Sequence, residues 1–247
     1  MVVVVVAVIA IPEVVAMAVD QARVAVVAGA TGLVGQAVLA ALLTAKSERS
    51  AGTQNACASV HVLHAQGRRA PALSDSRLHL HAVDFSALPT LPPTDDVYIT
   101  LGTTIAVAGS QEAFRAVDYD AVMATARAAR ASGATRCGVV TAMGANANSR
   151  IFYNRVKGEV ERDLQTLGFS TLVIARPSLL MGERAALQQA PRRAESLSIQ
   201  LFKWLNPIIP APYRARPGAD VAAALVHAVL HGSTGLHVLT GHALNPR

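Results

Sequence analysis

The sequence predicts an α/β fold: a doubly wound, mostly parallel sheet with helices on both faces and a small C-terminal subdomain. Three observations predict it. Short β-rich runs alternate with helical patterns along most of the chain. A glycine-spaced turn, Gly29 to Gly35, stands between the first such run and the first helical pattern. The 247 residues are 52% hydrophobic and only 15% charged, which suits one sizeable core and excludes disorder for most of the chain.

The elements follow in order. Residues 1–22 read as an apolar N-terminal extension. The run Met1 to Ile11 is shorter than the about 20 residues that span a bilayer. No Lys or Arg precedes it, unlike a signal peptide, so no membrane partner is expected. Residues 23–247 read as a single domain. Arg23 to Ala28 is the first strand, and Gln36 to Ala45 a helix with Val38, Leu39, Leu42 and Leu43 apolar. Residues 46–58 are polar and small, a loop. Val60 to Leu63 is the second strand and ends in the turn Gln66-Gly67-Arg68-Arg69; Leu78 to Val83 is the third. Leu88 to Thr94 is proline-rich and must be a loop. Asp96 to Leu101 is the fourth strand. Phe114 to Ala131 is a long helix stopped at Ser132-Gly133.

Arg136 to Thr141 is the fifth strand, Tyr153 to Leu167 a helix stopped at Gly168, and Thr171 to Ala175 the sixth strand. Ser196 to Leu205 is read as a helix, Asn206 to Arg216 as a proline-rich loop, Asp220 to His231 as a helix and Leu236 to Leu239 as a last strand. Residues 183–217 form the expected cap on the substrate side. Strands separated by helices imply βαβ units with right-handed crossovers, hence a parallel sheet.

The net charge of +6 comes mainly from arginines scattered along the chain, since only Lys46, Lys157 and Lys203 are lysines. No block of five or six like charges occurs, so the basic excess reads as a solvated surface and not as a nucleic-acid face. Cys57 and Cys137 lack any metal spacing. His61, His64, His79 and His81 fall at near-alternating strand positions, where core or surface roles are expected and no metal site. This cysteine usage suits a reducing, cytoplasmic location.

Gly29-Ala30-Thr31-Gly32-Leu33-Val34-Gly35 has the spacing GxxGxxG, follows a strand and opens a helix. One glycine permits the tight turn, a second lets a pyrophosphate approach the backbone, and a third lets helix and strand pack closely. The helix N-terminus offers free N–H groups and a positive dipole end to phosphate. This is the dinucleotide-binding signature of a Rossmann sheet. The second strand ends without the acid that would bond an NAD ribose. Arg68 and Arg69 stand there instead, and two guanidinium forks suit a 2′-phosphate, so NADP(H) is favoured over NAD(H). Asp84 and Phe85 after the third strand, and Leu101, Gly102 and Thr103 after the fourth, lie where open α/β sheets bind ligands.

Tyr153-Asn154-Arg155-Val156-Lys157 places Tyr and Lys at i and i+4, on one helix face. A lysine ammonium near the phenol favours the phenolate and is expected to lower its pKa from about 10. Such a tyrosine can exchange a proton with a carbonyl or alcohol oxygen. Thr141, twelve residues earlier, is expected to orient the substrate oxygen with its hydroxyl.

The glycine loop, YNRVK, Thr141 and Ala175-Arg176-Pro177-Ser178 together resemble the short-chain dehydrogenase/reductase superfamily, in its extended and atypical branches, over roughly residues 23 to 240. LGTT at 101–104, VTAMGA at 140–145, FYNRVKGEVE at 152–161 and RPSLLMGER at 176–184 more narrowly resemble its Tat-interacting-protein-like group. The resemblance implies that Thr31 to Gly35 bind the pyrophosphate and Arg68 and Arg69 the 2′-phosphate. It implies that Leu101 and Gly102 contact the cofactor, that Tyr153 is the acid/base with Lys157 beside it, and that Pro177 to Leu180 flank the nicotinamide. Two residues depart from the pattern: Thr141 stands where serine is usual, and Asp118 where many members have asparagine. The expected function is an NADP(H)-dependent oxidoreductase on a carbonyl or alcohol. The alternatives are an NADPH-binding regulatory or scaffold protein with a protein partner, and a nucleotide-sugar epimerase-like isomerase. A small-molecule substrate is expected, and a homodimer is compatible with the sequence.

Overall fold

The computed structural model describes residues 23–44, 57–65, 70–71, 73–178, 180–181 and 216–244. The strands are β1 (Arg23–Ala28), β2 (Cys57–Ala65), β3 (Leu78–Val83), β4 (Asp96–Ile99), β5 (Arg136–Val140), β6 (Thr171–Ala175), β7 (Leu180–Met181), β8 (Arg216–Pro217) and β9 (Gly235–Leu239). The helices are α1 (Leu33–Thr44), α2 (Ile105–Ala108), α3 (Gln111–Arg115), α4 (Ala121–Ala131), α5 (Phe152–Leu164) and α6 (Gly218–His231), with a π turn at Ala116–Asp120 between α3 and α4.

Seven strands form one sheet in the order β3-β2-β1-β4-β5-β6-β9, and every neighbouring pair is parallel. The expected doubly wound α/β sheet is therefore the observed fold. β7 and β8 pair separately as a short parallel ladder. Strand order reverses between β1 and β4, which are adjacent, and such a switch point opens a crevice at the strands' C-terminal ends.

Alternation along the strands builds the two faces. Ala25 and Val27 of β1 point with Val60, Val62 and Val173 into a core closed by Val38, Leu39 and Leu42 of α1 and Val221, Leu225 and Val229 of α6. Val26 and Ala28 point the other way, with Val97, Ile99 and Val139, against Val122, Met123 and Ala126 of α4 and Val160 and Leu164 of α5. Period-2 strands sandwiched between helices need apolar residues on both faces, as these runs have.

The far ends of the strands are tied by charge. Fully buried Asp96 accepts the Arg23 Nε–H at 2.8 Å and pairs with its Nη2, while Asp95 accepts the Val24 N–H at 2.7 Å. Arg136 Nη1 donates to the Val229 and Leu230 carbonyls, 2.7 and 2.6 Å, satisfying oxygens near the C-terminus of α6. On the edge strand, His79 and His81 lie beside His61, whose Nδ1 is 2.9 Å from His81 Nε2. Among the described residues no helix is long and apolar enough to cross a membrane.

Several boundaries differ from expectation. β2 extends over Cys57–Ala65 because it pairs on both sides, with β1 and β3. β4 stops at Ile99, where Thr100 turns to give both its N–H and its hydroxyl to the Ala28 carbonyl. The helix expected from Phe114 starts at Gln111, where the Ser110 hydroxyl oxygen caps the Ala113 N–H at 3.1 Å, and is interrupted by the π turn. Short α2, capped by Thr104, was not expected. The N-terminal extension, the helix at 196–205 and most of the cap at 183–217 lie outside the described residues.

Helix α5 is seated by Gly158. A Cβ there would lie 2.1 Å from Asn146 C and from Ala147 N, so the 146–147 backbone runs against the helix where a side chain would stand. Gly158→Ala should destabilise the protein by about 1–3 kcal/mol, the usual cost of overpacking. Urea unfolding measures this, and an unchanged midpoint would show that the loop yields freely.

Candidate active site

The glycine loop lies at the switch point. Gly29 has φ +89°, and a Cβ on it would stand 2.6 Å from the Thr100 carbonyl carbon. On Gly35 a Cβ would meet the Gly29 oxygen at 2.1 Å and Thr100 Oγ1 at 2.6 Å. Two missing side chains thus let the β1–α1 turn lie directly on the end of β4. A Cβ on Gly32 would meet only the Gly29 oxygen, at 3.3 Å, leaving its other side open. Val34 is buried in the α1–α6 core, so only its backbone can face a ligand, and Leu33 packs beneath Gly218 at the start of α6. Thr31 is half-buried at the turn.

The flanking residues divide. Asp84 is exposed and accepts Ser86 N–H and Oγ–H at 2.8 and 2.7 Å, bonds that lower its carboxyl below the ordinary value. Phe85 packs toward the α4–α5 core with Leu88 and Leu101, so its ring supports the rim. Gly102 is exposed; a Cβ on it would lie 3.4 Å from Asp118 Oδ1 and 3.8 Å from Lys157 Nζ. Pro177 is buried and its carbonyl accepts the Met143 N–H at 2.9 Å; Leu180 continues into β7. Arg68 and Arg69 lie outside the described residues.

Helix α5 sets three polar side chains at i, i+4 and i+8 on one face: Tyr153, Lys157 and Glu161. Tyr153 is half-buried, its ring 5.4 Å from that of Phe114. Lys157 is buried, and its Nζ stands 2.7 Å from Asp118 Oδ1. Asp118 is fully buried within the π turn, and its other oxygen accepts the Thr103 N–H at 2.8 Å. π turns occur often at functional sites, where they re-aim a side chain. Burial pushes the Asp118 carboxyl up, opposed by Lys157 and then by the Thr103 N–H. Two more links join this segment to α5: Arg115 to Glu159, and the Tyr119 hydroxyl donating to Asp163 at 2.6 Å.

Two expectations are corrected here. Tyr153 was expected to have a lowered pKa, but burial, and then the Asp118 charge, push the phenol above its ordinary value. The lysine positive charge is met by Asp118. Thr141 was expected to aim its hydroxyl at substrate, but it is buried and donates to Glu161 Oε1 at 2.6 Å. Glu161 in turn receives Arg176 Nε at 2.9 Å and pairs with its Nη2. Glu161 and the partner role of Arg176 were missed by sequence reasoning. The i, i+4, i+8 spacing from Tyr153 was the available signal for Glu161. Thr141→Val should cost about 1.5–3 kcal/mol, the worth of a hydrogen bond to a charged group. Unchanged stability in urea unfolding would return the hydroxyl to the substrate side.

No protein-family model matches the chain. Among curated proteins it is 30% identical over 221 residues to the protein FMP52-1, mitochondrial, of Scheffersomyces stipitis, covering 83% of this chain and 87% of that one. It is 38% identical to FMP52, mitochondrial, of Eremothecium gossypii over 65% of this chain and 67% of that protein. With the Candida albicans FMP52 it shares 35% over 63% of this chain and 66% of that protein. Among solved structures, a short chain dehydrogenase family protein from Francisella tularensis superposes with TM-score 0.62 at 12% identity, over 90% of this chain and 98% of that one. A UDP-glucose 4-epimerase from Thermotoga maritima, solved with UDP-glucose, gives 0.63 at 13%, covering 88% and 76%. MoeE5, solved with UDP-glucose and NAD, gives 0.62 at 14%, covering 89% and 79%. At these identities the likeness is one of fold, the Rossmann fold of short-chain dehydrogenases and nucleotide-sugar epimerases. The curated relatives bear the FMP52 name and not that of the Tat-interacting-protein-like group. They are also named mitochondrial, which overturns the cytoplasmic expectation: cysteine usage speaks to disulfides, not to a cellular address. With identities of this size over this much of both chains, the protein belongs to the FMP52 family.

Proposed function

We propose that this chain binds a nicotinamide dinucleotide, NADP(H) in preference to NAD(H), and acts as an oxidoreductase on a carbonyl or alcohol. The observation that carries the reading is the seating of the Gly29–Gly35 turn on Thr100 at the β1/β4 switch point. It leaves a side-chain-free groove at the N-terminus of twelve-residue α1, whose free N–H groups suit a pyrophosphate. Gly102 lies beside Asp118 and Lys157 and adds no side chain there. Arg68 and Arg69 support the phosphate preference by charge, and the names of the relatives support a mitochondrial setting.

The bound dinucleotide would supply the hydride. The chain's own part is to hold it against β1 and β4 and to move one proton. Tyr153 is the group for that proton: it is half-buried, and among the described residues nothing hydrogen-bonds its hydroxyl. Lys157 and Asp118 set the charge beneath it. Thr141 is left out of the substrate contacts, because its hydroxyl serves Glu161.

One observation favours a second reading, a dinucleotide-binding regulatory protein without turnover. Two of the three groups expected to do the chemistry, Lys157 and Thr141, are engaged with acids elsewhere in the chain.

Titration of nicotinamide fluorescence with NADPH and with NADH tests the cofactor. NADPH should bind more tightly, and Arg68→Glu/Arg69→Glu should abolish the difference; equal binding of both nucleotides would refute the preference. In a carbonyl-reduction screen, Tyr153→Phe should lower turnover by about 10²–10⁴-fold with nucleotide affinity unchanged, as for loss of a general acid. Turnover that survives the substitution would remove Tyr153 from the chemistry, and binding without turnover would leave the regulatory reading.

A further inference from the structure

Beneath the proposed groove, one carboxylate joins the lysine of helix α5 to the loop after β4. Asp118 Oδ1 meets Lys157 Nζ at 2.7 Å, and its Oδ2 accepts the N–H of Thr103, in the loop after β4. Both side chains of the pair are almost wholly shielded from water. Gly102 lies over them, within van der Waals reach of both charged atoms had it a Cβ. Tyr153 stands one helical turn before Lys157 on the same face.

From this geometry we infer that Asp118 is a positioning residue that takes up the charge of Lys157, so that Tyr153 stands in the site as a phenol. A phenol gives its proton to a carbonyl oxygen; a phenolate takes one from an alcohol. The arrangement therefore sets the site for carbonyl reduction, and this deepening rests on the oxidoreductase reading above. In that step the Tyr153 O–H bond breaks and a substrate O–H bond forms, while the nicotinamide named there delivers hydride to the carbonyl carbon. Tyr153 then regains its proton from water. The upward shift of the phenol agrees with the geometry.

The groups around Tyr153 support the assignment. From its own helix Lys157 shares its face one turn on, and from the π turn the Asp118 charge acts on it. From α3 comes the apolar ring of Phe114. Arg115 of α3 is paired with Glu159. Arg155 donates to the Ser149 carbonyl at 3.1 Å and lies 5.6 Å from the Phe152 ring centroid. Leu101 to Thr104, after β4, carry no charge. Arg176 is held by Glu161.

The test is a spectroscopic titration of the tyrosines in the nucleotide-free protein, with Tyr153→Phe subtracted to isolate the Tyr153 signal. In the wild type Tyr153 should ionise no lower than the ordinary value of about 10. In Asp118→Asn, which keeps a carbonyl oxygen for the Thr103 N–H, the unopposed lysine should draw ionisation down by about 1–3 pH units. Adding Lys157→Met to that variant should return it upward. A wild-type Tyr153 that ionises a unit or more below 10 would overturn the inference whether or not the variants fold. So would an Asp118→Asn titration that matches the wild type, or a double variant that stays low. No nucleotide or substrate enters the measurement, so failure of the cofactor reading shows in the binding titration and failure of this one shows here.

Discussion

The ion pair between Lys157 and Asp118 joins three separate parts of the chain: helix α5, the π turn ahead of α4, and the loop after β4. Its members are buried, and desolvating two charges is costly unless each finds close partners. Asp118 has two, an ammonium and a backbone N–H, one on each oxygen. Removing either member of such a pair typically costs about 3–5 kcal/mol, because the other is left charged and buried. The pair therefore constrains where α5 lies against the sheet, and with it where Tyr153 stands. The flanking Arg115–Glu159 and Tyr119–Asp163 contacts repeat the same seam farther out, where water screens them more.

A second constraint acts on the other side of the crevice. The β1–α1 turn approaches β4 so closely that neither Gly29 nor Gly35 has room for a Cβ. Thr100 completes the contact by giving two hydrogens to the Ala28 carbonyl. The sheet brings these parts together because strand order reverses between β1 and β4. The result is a crevice with bare backbone on one wall and a charged, buried pair beneath the other. That combination suits an anionic cofactor lying across the strand ends and a proton moved at its reactive end.

The alternation of strands and helices was legible in the sequence because both faces of a parallel sheet are buried. Runs such as Val24 to Ala28 and Thr171 to Ala175 are apolar throughout and end at turn residues. The glycine loop was legible because its spacing carries a steric meaning. What escaped were features decided by tertiary contact. Nothing in Ala116 to Asp120 marks a π turn, the segment that carries Asp118 onto Lys157. The spacing of Tyr153 and Lys157 put both on one face, but the direction of the phenol shift depended on burial and then on an acid 35 positions away. Thr141 was read from its place at a strand end, yet a strand-end hydroxyl can turn either way, and Glu161 and Arg176 decided which. Locating the relatives in mitochondria came from comparison alone.

Hydrogen–deuterium exchange with and without NADPH tests the central claim most directly, because it reports where the nucleotide lies and needs no substrate. The account predicts that protection concentrates in the amides of residues 29–35 and 100–104, with little change on the far ends of the strands around Arg23 and Asp96. NADPH that binds while these two segments exchange as before, or that protects a different edge of the sheet, would contradict it.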